Sequence, residues 1–172
     1  FWTYRDVEYV RPLYHSLILR AADFMVRFRD PDTHLPLPSY DLWEERWGVH
    51  TWTVAAVIGG LRAASRFASA FGQVELVARY SRVAEKMRAA LMEHLWSETH
   101  GRFARSLVVG SAGTELDVTL DASLCGLVLF AACDPHDPKV EATLKAVGDR
   151  LLLTTPVGGV ARYDGDMWHR SV

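Results

Sequence analysis

Residues 50–61 read HTWTVAAVIGGL. From Val54 onward this run has no polar face, and small residues continue through Arg62, Ala63 and Ala64. A helix that is apolar all round has to be buried all round. Gly59 and Gly60 each cost about 1 kcal/mol in a helix interior. They make sense where another helix approaches closely. A buried helix is therefore expected over Thr51–Phe71, closed by Gly72.

Working outward, the neighbouring segments are amphipathic. From Val10 to Phe28 apolar residues fall at Val10, Leu13, Tyr14, Leu17, Ile18, Ala21, Phe24, Met25 and Phe28, the three-then-four rhythm of a helix with one buried stripe. Asp30-Pro31-Asp32 ends it, because proline disfavours helix in the residue before it. From Val74 to Trp96 the pattern returns, with Val77, Tyr80, Ala84, Met87, Leu91 and Leu95 on one side. THGRFARSLVVG then reads as a turn and an extended, hairpin-like insertion. Asp121 can cap a second all-apolar run, ASLCGLVLFAAC, expected as one helix to Cys133. Asp137-Pro138 opens an amphipathic helix with Val140, Leu144, Val147 and Leu151 as its stripe. TTPVGGVARYDGDMWHRSV has no helical period.

The order is amphipathic, buried, amphipathic, buried, amphipathic. Exposed helices would form an outer layer and buried ones an inner layer, so the fold class is all-α, with concentric or stacked helices. The chief rival is an irregular helical bundle. No internal domain boundary interrupts residues 1–172.

Composition sets limits. Hydrophobic residues make up 49% and charged residues 23%, which is ordinary for a globular protein with a core. Net charge is −2 and Lys and Arg form no runs, which argues against nucleic acid or an anionic membrane as partner. In one helix Cys125 and Cys133 would stand ~12 Å apart along the axis, too far for a disulfide. Free thiols favour a reducing compartment such as the cytoplasm. There is no HExxH, CxxC pair or phosphate-cradling glycine loop, and the histidines are scattered, so no metal or cofactor is expected.

Carboxylates gather ahead of the apolar runs. Asp41, Glu44 and Glu45 precede the first; Glu115, Asp117 and Asp121 precede the second; Asp164 and Asp166 lie near the C-terminal end. Helix N-termini favour such charges. For Asp121 capping is the preferred reading. For PSYDLWEER, residues 38–46, it is insufficient, because one cap needs one side chain and leaves Trp43 unexplained.

YDLWEE followed by HTWTVAAVIGGL resembles glycoside hydrolase family 15, the glucoamylases and glucodextranases. RFARSL, LDASLCGL and GGVARYDGD follow in the order that family would show. The resemblance implies a portion of an (α/α)6 barrel, six inner and six outer helices, and hydrolysis of α-glucosidic bonds from the non-reducing end with inversion. It makes Glu44 the general acid. Asp41 and Glu45 belong to the hydrogen-bonding environment of sugar and acid, Tyr40 and Trp43 to the walls of the sugar pocket, and Arg162 and Asp166 to the ligands of sugar hydroxyls. The implied partner is an α-glucoside oligosaccharide. Gly165 departs from the fungal pattern, which has a glutamate there.

The chemistry suits the residues. Glycoside cleavage needs one protonated carboxyl to donate to the leaving oxygen and a second carboxylate to activate water, about 6.5–9.5 Å away when the reaction inverts. Glu45 is a poor base, since adjacent side chains cannot easily face each other across a ring. The family's base is expected in a later helical pair. The chain is accordingly expected to be the middle of a longer enzyme, inactive by itself and prone to self-association through uncovered apolar flanks. A trehalase-like hydrolase of the same family, and a non-catalytic helical-array or sugar-binding domain, are the alternatives.

Overall fold

A computed structural model describes residue 3 and residues 6–110 and 113–166; residues 167–172 of the C-terminal tail, read above as lacking a helical period, lie outside the described residues. The buried helix stands where the apolar run puts it, as α3, Thr51–Ala70. It buries Val54, Ala55, Ile58, Leu61, Ala64 and Ala68, and most of its other residues up to Arg62 are half-buried. α4, Val74–His94, lies against it and buries Tyr80, Val83, Ala84, Met87 and Leu91. The N-terminal helix, in two parts as α1, Val7–Leu13, and α2, Leu19–Arg27, covers a further side through α2. The diglycine works as expected. A Cβ on Gly59 would stand 2.6 Å from the Phe130 carbonyl oxygen, and one on Gly60 3.1 Å from Met25 Cε.

Three expectations need correcting. First, the fold is not all-α. A four-stranded antiparallel sheet joins β1, Ser39–Tyr40, to β2, Trp47–His50, then to β5, Ser106–Gly110, and β6, Gly113–Asp117. A second hairpin pairs β3, Trp96–Ser97, with β4, Arg102–Phe103. Two-residue strands carry no readable alternation, and β2 finds its partner β5 far away in sequence, with Val49 opposite Leu107 and His50 opposite Ser106.

Second, the apolar run from Ala122 is not one helix to Cys133. A 3-10 turn, Ala122–Cys125, passes into α5, Gly126–Leu129. Ala131 takes a left-handed φ of 51° and the amides of Ala132 and Cys133 return to the Leu127 carbonyl. That is a left-handed helix terminus built without glycine. Arg62 of α3 reaches over to donate to the Ala131 and Ala132 carbonyls. Leu129 is left 71% exposed, so the run is not buried on all sides. Cys125, in the 3-10 turn, and Cys133, in the loop after α5, are free thiols, and burial pushes both up in pKa.

Third, the first stripe is rotated. A π turn, Tyr14–Ile18, separates α1 from α2. The extra residue in a π turn shifts everything after it around the axis. Val10, Tyr14 and Ala22 are buried, while Leu17 and Phe24 are 58% and 55% exposed.

Asp137 caps α6, Pro138–Leu151, by accepting from the Lys139 amide, and Pro138 occupies the first turn as read. Among the described residues no helix is long and apolar enough to cross a membrane.

Candidate active site

The acidic stretch is the loop of the β1–β2 hairpin, not the N-terminus of α3. β2 intervenes, and the residue before α3, His50, makes no side-chain cap. No carboxylate of residues 41–45 caps that helix, so the capping reading falls away for them. Asp41 instead builds the loop. Its backbone amide donates to the Arg46 carbonyl at 3.0 Å, and its Oδ1 accepts from the amides of Glu45 (2.8 Å) and Arg46 (3.3 Å). Its Oδ2 is buried and has no hydrogen-bond partner among the described residues.

Glu44 sits at the apex of this loop with φ 59°. A non-glycine residue there is uncommon and is held only by its surroundings, here the Asp41 bonds on either side. Its carboxyl is exposed and makes no hydrogen bond among the described residues. Glu45 sits in a cluster. Its Oε1 accepts from Arg162 Nη1 at 3.2 Å and its Oε2 from the Tyr163 hydroxyl at 2.7 Å. That acceptor raises the Tyr163 pKa.

The segment carrying Arg162 is placed by backbone pairing. Asp121 and Tyr163 form an antiparallel bridge, with the Ala122 amide donating to the Arg162 carbonyl and the Asp164 amide to the Leu120 carbonyl. Arg162 then forks onto Asp166, Nε to Oδ2 at 2.7 Å and Nη2 to Oδ1 at 2.8 Å. This pairing raises the Arg162 pKa further above its ordinary value. The guanidinium lies over the Trp43 ring at 5.3 Å. Trp43, Glu45, Arg162 and Asp166 thus meet, 117 residues apart at the Arg162–Glu45 pair, and Asp41 and Glu44 lie on the same hairpin loop. Tyr40 stands apart from this cluster in its ring contact, edge-on to Trp47 at 5.2 Å. Asp164 turns away to pair with Arg150 of α6. Gly165 has φ 83°, so a glutamate at this position would be strained.

Beneath this layer lies a second set of charges. The Trp43 indole N–H donates to Asp121, 3.1 Å from Oδ2. Asp121 is fully buried, and its Oδ1 also accepts from the Ser123 amide at 2.7 Å. So the cap expected of Asp121 is present, but it is half of what the residue does. Arg105, 2% exposed, is ion-paired with Asp117 and stands 3.6 Å from Asp121 Oδ2. Burial opposes ionisation of Asp117, yet the hydrogen bonds from Arg105 and Thr119 hold its carboxyl below the usual value. The reading from sequence missed Arg105 and Tyr163. The one signal available for Arg105 was its place in RFARSL, which also holds Arg102.

A cavity of about 330 Å³ opens beside the cluster, against Arg150, Val160, Arg162, Tyr163 and Asp166. Trp43 does not line it. The ring is half-buried, with Arg162 on its face.

The chain matches the family model described as glycosyl hydrolases family 15 over residues 32–169. It is 30% identical over 132 residues to an uncharacterised glycosyl hydrolase of Methanocaldococcus jannaschii, covering 76% of this chain and 20% of that protein. It is 26% identical to a glucoamylase of a Clostridium species, over 90% of this chain and 24% of the relative, and 28% identical to glucoamylase 1 of Rhizopus oryzae, over 96% and 28%. The chain thus spans roughly a fifth to a quarter of these relatives' length. Among solved structures it resembles a bacterial glucoamylase complexed with acarbose, with a TM-score of 0.69, 24% identity, and coverage of 89% of this chain and 25% of that one. It also resembles a glycosidase variant in complex with glucose, with a TM-score of 0.63, 25% identity, and coverage of 84% and 34%.

Proposed function

The chain belongs to the glycosyl hydrolases of family 15, and from that premise we propose that it supplies the acid side of an exo-acting, inverting α-glucoside hydrolase of glucoamylase type, as part of an (α/α)6 catalytic domain. The observation that carries this reading is the meeting of the Trp43–Glu45 loop with Arg162 and Asp166 across the hairpin and the 120–122 strip.

In this mechanism Glu44 gives its proton to the glycosidic oxygen as the bond to the anomeric carbon breaks. An exposed residue whose carboxyl has no partner among the described residues is free to meet that oxygen. Glu45 and Arg162 already bond to each other, and a glucose ring's hydroxyls would take up the remaining donors and acceptors of that pair. Trp43 offers an apolar wall to the sugar's C–H face. Asp41 acts through the backbone, keeping Glu44 in its left-handed conformation. The general base belongs to another part of the polypeptide, about 6.5–9.5 Å across the bound sugar. The 172-residue segment alone should therefore hydrolyse no glucoside at a useful rate.

The test is Glu44→Gln in the polypeptide at the length of its relatives. The amide keeps the shape and removes the transferable proton, so kcat on maltose should fall by roughly 10²–10⁴ with sugar binding largely kept. An unchanged kcat on maltose or isomaltose would remove Glu44 from the acid role. An aryl fluoride is the wrong substrate, because its leaving group needs little protonation.

A further inference from the structure

Two charged side chains that touch almost no solvent stand directly under the candidate site, and neither is used in the reaction just described. Asp121 is 0% and Arg105 2% exposed. A fully buried carboxylate is costly unless it is bonded and paired. Asp121 is both: it accepts from the Ser123 amide and the Trp43 indole, and Arg105 lies 3.6 Å away. Arg105 is held at several points, although its Nη1, the atom that faces Asp121, has no hydrogen-bond partner among the described residues. Its Nε donates to Asp117 at 3.1 Å, its backbone carbonyl accepts from Thr51 at the start of α3, and its backbone amide donates to the Asp117 carbonyl. The guanidinium also lies 5.4 Å from the centre of the Tyr163 ring, whose hydroxyl holds Glu45.

Two chains of contact therefore leave one buried cation. One runs from Arg105 through Asp121 to the Trp43 indole. The other runs from Arg105 through the Tyr163 ring to Glu45. Trp43 and Glu45 flank Glu44 in the sequence. Resting on the hydrolase reading above, we propose that Arg105 and Asp121 are positioning residues that tether Trp43 and Tyr163 from below, so that the loop bearing Glu44 is held from both sides. Asp121 acts through the indole N–H and not merely as a helix cap. Its two oxygens are already assigned, Oδ1 nearest the Ser123 amide and Oδ2 nearest the indole. An asparagine serves both less well: if its oxygen keeps the cap, the indole N–H retains only the longer 3.3 Å contact to that oxygen, while the NH2 in place of Oδ2 faces it donor against donor.

Two readings of the polypeptide at its relatives' length decide the matter: kcat and KM on maltose, and the fluorine spectrum of protein labelled with 5-fluorotryptophan, with Trp43 assigned from Trp43→Phe. Asp121→Asn should shift the Trp43 resonance and lower kcat/KM roughly 10-fold or more, the scale of losing a hydrogen bond to a charged group. Trp43→Phe has no N–H to lose, so the double variant should lie within about 3-fold of the worse single one. Losses that multiply would mean that Asp121 acts independently of the indole, and would overturn the tether. So would a Trp43 resonance unmoved by Asp121→Asn. If Asp121→Asn does not fold, Arg105→Lys decides by the same two readings, since a point charge cannot span both carboxylates. A parent protein that cleaves no α-glucoside defeats the hydrolase reading, while the spectrum still settles the tether.

Discussion

The hairpin loop at residues 41–46 and the strip at residues 117–123 are both acidic segments leading into apolar helical runs, and they end in opposite states. In the strip, Asp121 is fully buried and meets an amide, an indole and a nearby guanidinium. In the loop, Glu44 is exposed, on a left-handed backbone, and unbonded at its carboxyl among the described residues. A carboxylate whose partners are all supplied by the protein holds structure together. One that stands exposed on a left-handed turn, with no partner among the described residues, is available to a ligand. The same residue chemistry thus divides into buried support and exposed charge, according to burial and partners.

Substitutions should separate the two. Glu44→Gln should reduce kcat by the largest factor here, on the order of 10²–10⁴, and leave the thermal midpoint close to the parent. Arg105→Leu should do the reverse. It strands Asp117 and Asp121 next to an apolar side chain, and breaking a buried pair costs about 3–5 kcal/mol. A urea titration of both variants checks this. Equal stability losses would erase the distinction between loop and strip.

A smaller effect tests how tightly the support is packed. Gly59→Ala places a methyl group 2.6 Å from the Phe130 carbonyl oxygen. Overpacking of this kind costs about 1–3 kcal/mol, against roughly 1 kcal/mol gained in helix propensity, so a net loss is expected. Gly148→Ala in α6 meets nothing within 4 Å and should gain up to about 1 kcal/mol. If both substitutions stabilise, the close approach of α3 to Phe130 is wrong.

The smallest effect is a slope with pH. The Asp117 pKa is lowered in the folded chain. Its ionised form therefore adds stability that is complete above the unfolded value, about 3.9, and is lost as pH falls through the folded value. Asp117→Asn should flatten that part of the stability profile below about pH 4. Parallel profiles for parent and variant would show that the Arg105 pair contributes nothing ionic.

Much of the helical frame can be read from periodicity alone. α3, α4 and α6 lie within a residue or two of the spans expected from their apolar spacing, and Asp137-Pro138 marks the start of α6. The close approach at the diglycine and the acidic face shared by YDLWEE and ARYDGD are likewise legible, the second through a family resemblance that the residues carry. The first is a local signal, and the second rests on motifs that stand in the sequence itself.

Tertiary contact decided the rest. The sheet exists because two-residue and four-residue strands meet partners distant in sequence, and such pairings leave no local period. The run from Ala122 stops at Leu129 because Ala131 turns left-handed and Arg62 takes up the freed carbonyls, with no glycine to announce it. The stripe of the first helix rotates at a π turn. Arg105 and Asp121 acquired their roles only once β5, the 3-10 turn and the 161–166 segment packed against the hairpin. A side chain's charge is written in the sequence, but whether that charge is buried, paired or left free depends on which distant residues the fold brings beside it.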